Sequence, residues 1–71
     1  MVQLNCLTAQ ELRAVRLMAQ GMTTKQVADT MLRSLKTIEM YLANARIKAG
    51  ASNTVRLVLL AERAGLLKDV P

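Results

Sequence analysis

Between Thr23 and Ala49 two helical patterns stand back to back, TTKQVADTM and LKTIEMYLANARIKA, with only a short turn between them. Thr23 or Thr24 is placed to cap the first, whose apolar residues are Val27, Ala28 and Met31. Ser34 is placed to cap the second, where Ile38, Leu42, Ala45 and Ala49 recur at helical spacing. Two capped helices joined this tightly are the sequence form of a helix-turn-helix, whose second helix can enter the major groove of DNA.

The rest of the chain limits the alternatives. Seventy-one residues suit one small domain, residues 1–71 with a core over 7–67, near the lower size limit for a self-sufficient apolar core. Tyr41 is the one aromatic residue, so the core is built from Leu, Val, Ile, Met and Ala, which favours helices over a sandwich or barrel. A formal net charge of +5 favours a polyanionic partner. There is no histidine and a single cysteine, Cys6, so the usual nucleophile–base pairs, zinc sites and an intramolecular disulfide are missing. No enzyme, no metal and no cofactor is expected. The absence of a signal peptide or a long apolar run predicts a cytoplasmic, nucleoid-associated protein without a membrane partner.

Two further helices flank the central pair. Thr8-Ala9-Gln10-Glu11 has the capping-box form, with Leu7 and Leu12 set as a hydrophobic staple. The first helix is expected from Ala9 to about Gln20, burying Leu12, Val15 and Met18 or Ala19, with Gly21 after its last turn. The second covers about Thr24 to Leu32 and the third about Leu35 to Ala49, closed by Gly50. Ser52 or Asn53 caps a fourth that runs to Ala64 and stops at Gly65, with Leu57, Val58, Ala61 and Ala64 inward. Leu66 and Leu67 are expected to fold back over the core. Met18, Met22 and Met31 are candidates to fill the space left by Ala45 and Ala49.

These residues resemble the DNA-binding domain of LuxR-type transcription regulators, the module also found on NarL- and FixJ-like response regulators. The resemblance is carried by Leu7-Thr8 with Glu11, Gly21, Lys25, Ala28, Ser34, Lys36-Thr37-Ile38, Lys48, Gly50, Asn53, Ala61 and Gly65-Leu66. They fall in the family's register from Leu7 to Leu67 without a gap. Sigma-factor region four shares the style of turn but normally lacks the Ala61-Gly65-Leu66 ending. In length the chain is similar to stand-alone members without a sensor domain. The resemblance implies an all-α, tetrahelical helix-turn-helix fold in a bacterial protein, with helix three for recognition and helix four for dimerisation.

On helix three, Lys36, Met40, Ala43 and Ile47 point away from the expected core, flanked by Glu39 and Asn44. Water offers Met40 and Ile47 nothing, which favours a contact surface over a solvated face. Lys36, Glu39, Met40 and Ala43 are therefore the candidates for base contacts. Thr24, Lys25, Ser34, Thr37, Arg46 and Lys48 are the candidates for phosphate contacts, through hydroxyls, helix-start amides and positive charge. Ser34 also serves as a plain cap, and Lys48 is equally suited to pairing with a carboxylate. Many family members carry Lys at the position of Glu39, a polar or basic residue at Ala43, His at Tyr41 and Arg at Thr54. Here Glu39 repels phosphate unless it accepts from a cytosine amine, and Met40 and Ala43 offer apolar contact to thymine methyls.

Val55, Arg56, Leu59, Leu60 and Arg63 form the candidate dimer face of helix four. The leading expectation is a homodimeric, sequence-specific reader of double-stranded DNA that regulates transcription. The alternative keeps the fold but pairs with another LuxR-type protein and inhibits it. RNA polymerase is a further candidate partner.

Overall fold

The computed structural model describes residues 7–65, so the expectations for Cys6, Leu66 and Leu67 lie outside the described residues. Within them the chain forms four helices: α1 (Ala9–Ala19), α2 (Thr24–Met31), α3 (Leu35–Ala49) and α4 (Thr54–Arg63). No strand occurs among the described residues.

Each helix begins where a side chain can satisfy its free amides. At α1 the Thr8 hydroxyl accepts from the Glu11 amide at 3.1 Å, while the Glu11 carboxylate accepts from the Thr8 amide at 3.0 Å. The same reciprocal pair opens α2, with Thr23 as the cap and Gln26 reaching back at 2.8 Å. Ser34 caps α3 and Asn53 caps α4. Of the alternatives open in the sequence, Thr23 and Asn53 are the capping residues.

The ends follow backbone freedom. Gly21 and Gly65 take positive φ just after α1 and α4, and Gly50 closes α3 in the left-handed conformation. Closing α2 in the same way is a leucine: Leu32 has φ 57°, and the Arg33 amide donates back to the Ala28 carbonyl at 3.0 Å. Helix α2 therefore stops at Met31, short of the expected Leu32.

The fold is all-α, with α3 packed against α1, α2 and α4. Its core contains Val15, Val27, Ile38 and Leu57, all fully buried. Ala14, Ala45, Ala49 and Ala61 are also fully buried. Small side chains at these positions let the helix backbones approach closely. Met31 is buried, and Met18 and Met22 are partly buried against the core.

Several inward assignments are corrected. In α1 the buried residues are Glu11, Ala14 and Val15, whereas Leu12 and Met18 are half-buried and Ala19 is exposed. In α4 Leu57 and Ala61 are buried, Val58 is half-buried, and Ala64 is exposed as the C-cap. In both helices the face turned inward is narrower than the apolar residues alone suggest.

Candidate nucleic-acid interface

The α2–α3 junction is compact: Leu32 and Arg33 are the whole connection before the Ser34 cap. Ser34 accepts from the Thr37 amide at 3.1 Å, and the two hydroxyls lie 2.9 Å apart. Both hydroxyls are thus tied to each other and to the start of α3. Arg33 and Lys36 are exposed beside them, and Lys25 is exposed on the first turn of α2. Positive charge is concentrated where two helices present the positive ends of their dipoles.

Along α3 the buried stripe of Ile38, Leu42, Ala45 and Ala49 leaves the other side free. Lys36, Glu39, Met40, Asn44 and Ile47 are exposed, and Ala43 is half-buried. Ile47 is 78% exposed, a large apolar residue with no packing partner to account for it. The span from Lys36 to Ile47 is about 16 Å at 1.5 Å per residue, enough to lie along a major groove.

A shallow cleft of about 280 Å³ runs beside this face, lined by Met18, Thr24, Glu39, Leu42, Arg46 and Thr54. Thr24 is the first residue of α2 and Thr54 the first of α4. The helix starts therefore converge on the Glu39–Arg46 edge of α3. Arg46 Nε is buried there without a hydrogen-bond partner. Thr54 is the site residue that sequence reasoning did not place here. Only its position after the Asn53 cap hints at exposed amides.

Lys48 is placed differently from the other cations. Its Nζ donates to Glu11 Oε1 at 2.7 Å, joining the last turn of α3 to the first turn of α1. Burial by itself raises the Glu11 pKa, but the Lys48 hydrogen bond, the Thr8 amide and the ammonium's charge outweigh it and hold the carboxyl below its ordinary value. Of the two roles open to Lys48, the geometry supplies the carboxylate partner.

On α4, Val55, Arg56, Leu59 and Arg63 are exposed and Leu60 is half-buried against the core. Val55 is 71% exposed and Leu59 is 48% exposed. No helix among the described residues is long and apolar enough to cross a membrane.

The comparisons agree with this architecture. Residues 5–61 match the sequence profile described as bacterial regulatory proteins, luxR family. The chain is 38% identical over 63 residues to the virulence-factor transcription regulator BvgA of Bordetella pertussis, and equally to BvgA of Bordetella bronchiseptica. That match covers 89% of this chain and 30% of the relative, so the chain spans less than a third of the length of the curated relatives it matches. Among solved structures, the crystal structure of the phage VqmA–DPO complex is similar with a TM-score of 0.85 and 36% identity, over 99% of this chain and 32% of that one.

Proposed function

The chain belongs to the luxR family of bacterial regulatory proteins, and on that premise we propose that it is a sequence-specific DNA-binding transcription regulator that acts as a homodimer. In this reading α3 lies in the major groove and α4 joins two copies. The observation that carries it is the outer face of α3: Lys36, Glu39, Met40 and Ala43 stand side by side, flanked by the starts of α2 and α4. Thr24, Lys25, Ser34, Thr37 and Arg46 hold phosphates on either side. Lys48, joined to Glu11, serves chiefly to hold α3 on α1.

Base recognition by this face uses few hydrogen bonds. Glu39 accepts from a cytosine N4 amine, while Met40 and Ala43 meet thymine methyls. Those contacts read composition as much as sequence, so the preferred sites are expected to combine C·G at one position with T-rich flanks.

A second reading is favoured by the exposed carboxylate of Glu39 beside the exposed Met40 and Ile47. In it the apolar face of α3 docks a protein, such as another regulator of the same family. One experiment separates the two. Binding to random duplex is measured across a salt titration, then preferred sites are selected from a random pool. A steep inverse dependence on salt with an enriched, partly palindromic site supports the dimeric DNA reader. A flat dependence with no enriched site transfers the face to a protein partner.

A further inference from the structure

Neither backbone conformation nor packing calls for a leucine at position 32. Leu32 sits in the left-handed region at φ 57°, where a side chain is disfavoured and glycine is free. It is also 89% exposed, so burial in the core does not compensate. A residue held in a disfavoured conformation with its side chain in solvent points to a contact outside the domain.

The neighbouring residues identify the chemistry of that contact. From Leu32 to Lys36 the chain is exposed throughout and alternates apolar and basic: Leu32-Arg33, the Ser34 cap, then Leu35-Lys36. Leu35 is 46% exposed. Neither Arg33 nor Lys36 takes part in an ion pair among the described residues. The Leu32 and Arg33 amides are tied back to α2, donating to the Asp29 carbonyl at 3.3 Å and the Ala28 carbonyl at 3.0 Å. The Ser34 hydroxyl accepts from the Thr37 amide at 3.1 Å. The backbone of the connector is thus fixed before anything binds, and a contact made there loses little conformational entropy. A DNA strand offers the matching alternation, anionic phosphates separated by deoxyribose rings with apolar C–H faces. Exposed positive charge continues to Lys25 on α2, and the whole chain carries +5, which favours that polyanion over an acidic protein.

We propose that Leu32, with Leu35 three residues on, packs on deoxyribose of the DNA backbone while Arg33 and Lys36 hold neighbouring phosphates. The α2–α3 connector is then a clasp with an apolar part as well as an ionic one. It orients α3 on the duplex without reading a base. The chain is less stable than it would be with glycine at this position, and binds DNA more tightly. The inference rests on the reading of α3 as the helix that meets DNA.

The test pairs urea unfolding with binding of the full chain to random-sequence duplex across a salt titration, for the parent, Leu32→Gly, Leu32→Asn and Lys36→Ala. Glycine and asparagine both accept the left-handed backbone, and neither carries the apolar side chain. Both Leu32 variants are expected to be at least as stable as the parent, yet to bind about fivefold more weakly at every salt concentration. A sugar contact releases no counterions, so their salt slope stays that of the parent. Lys36→Ala is the control for the underlying reading and should lower the slope by about one unit. If the parent binds without salt dependence and Lys36→Ala changes nothing, the DNA reading fails and the proposal with it. If Lys36→Ala lowers the slope but both Leu32 variants bind like the parent, α3 still meets DNA and the proposal alone is overturned. Weaker binding by Leu32→Gly but not Leu32→Asn assigns the effect to backbone freedom, and weaker binding with lost stability assigns it to packing within the domain. Either result overturns the proposal.

Discussion

Leu32 and Glu11 are the residues whose surroundings differ most from what their types suggest. Leu32 is the one described residue other than glycine with positive φ, and it is 89% exposed. A left-handed leucine carries about 1–2 kcal/mol of backbone strain, and at this exposure packing offsets little of it. Leu32→Gly is expected to stabilise the fold by about 0.5–1 kcal/mol in urea unfolding, since part of the relief is offset by glycine's greater freedom when unfolded. No gain in stability would mean that the leucine side chain is held by a contact. Glu11 is buried yet ionised, because Lys48 and Thr8 surround its carboxylate. Its pKa is lowered on folding, so its contribution is present above the unfolded value of about 4.3 and is lost as pH falls through the folded one. Glu11→Gln is therefore expected to cost about 1–3 kcal/mol at neutral pH, and the difference from the parent should narrow in acid. A gap that stays constant down to about pH 2 would remove the carboxylate from that role.

Among the helices, α3 was the most legible in sequence, and its observed bounds are Leu35–Ala49 as expected. The reason is local: Ser34 and Gly50 bracket it with opposite capping chemistry, and both act within one turn. Helix α2 was read one residue too long, because Leu32 is a good helix former and nothing in its type announces a left-handed stop. The inward face of α1 was misplaced because Ala14 and Glu11 are buried through contacts made far along the chain, with Lys48 thirty-seven positions away. Helix α3 also carries the prediction that belongs to an element. Glu39→Lys replaces a carboxylate with an ammonium on its exposed edge, beside the starts of α2 and α4. Affinity for random duplex should rise several-fold and its salt slope should steepen by about one unit. If Glu39 reads cytosine, the same change relaxes the selected site at one position. Unaltered random-duplex binding would place α3 away from the DNA.

At the scale of the molecule, the arrangement joins two surfaces through one helix start. Thr54 begins α4 at the edge of the α3 cleft, so the face proposed to meet DNA borders the helix proposed to join two copies. If α4 joins two copies as proposed, the dimer is visible in DNA binding itself. Leu59→Glu should leave binding to a single half-site unchanged but reduce the salt slope on the full site to about half, because only one copy's cations are then engaged. An unchanged slope on the full site would show that two copies bind it without α4. The two separate readouts keep recognition and association distinct.

The sequence by itself determined the four helices and the family and narrowed each cap to one or two residues, because caps, glycine stops and apolar spacing act within a few residues of one another. It also identified which side of α3 is turned outward, since a buried stripe at helical spacing leaves only one side free. What the tertiary structure decided are the relations between distant segments. They include the buried Glu11–Lys48 pair and the convergence of Thr24 and Thr54 on the Arg46 edge. None of these has a local signal, because each depends on how closely the small buried alanines let the helices approach.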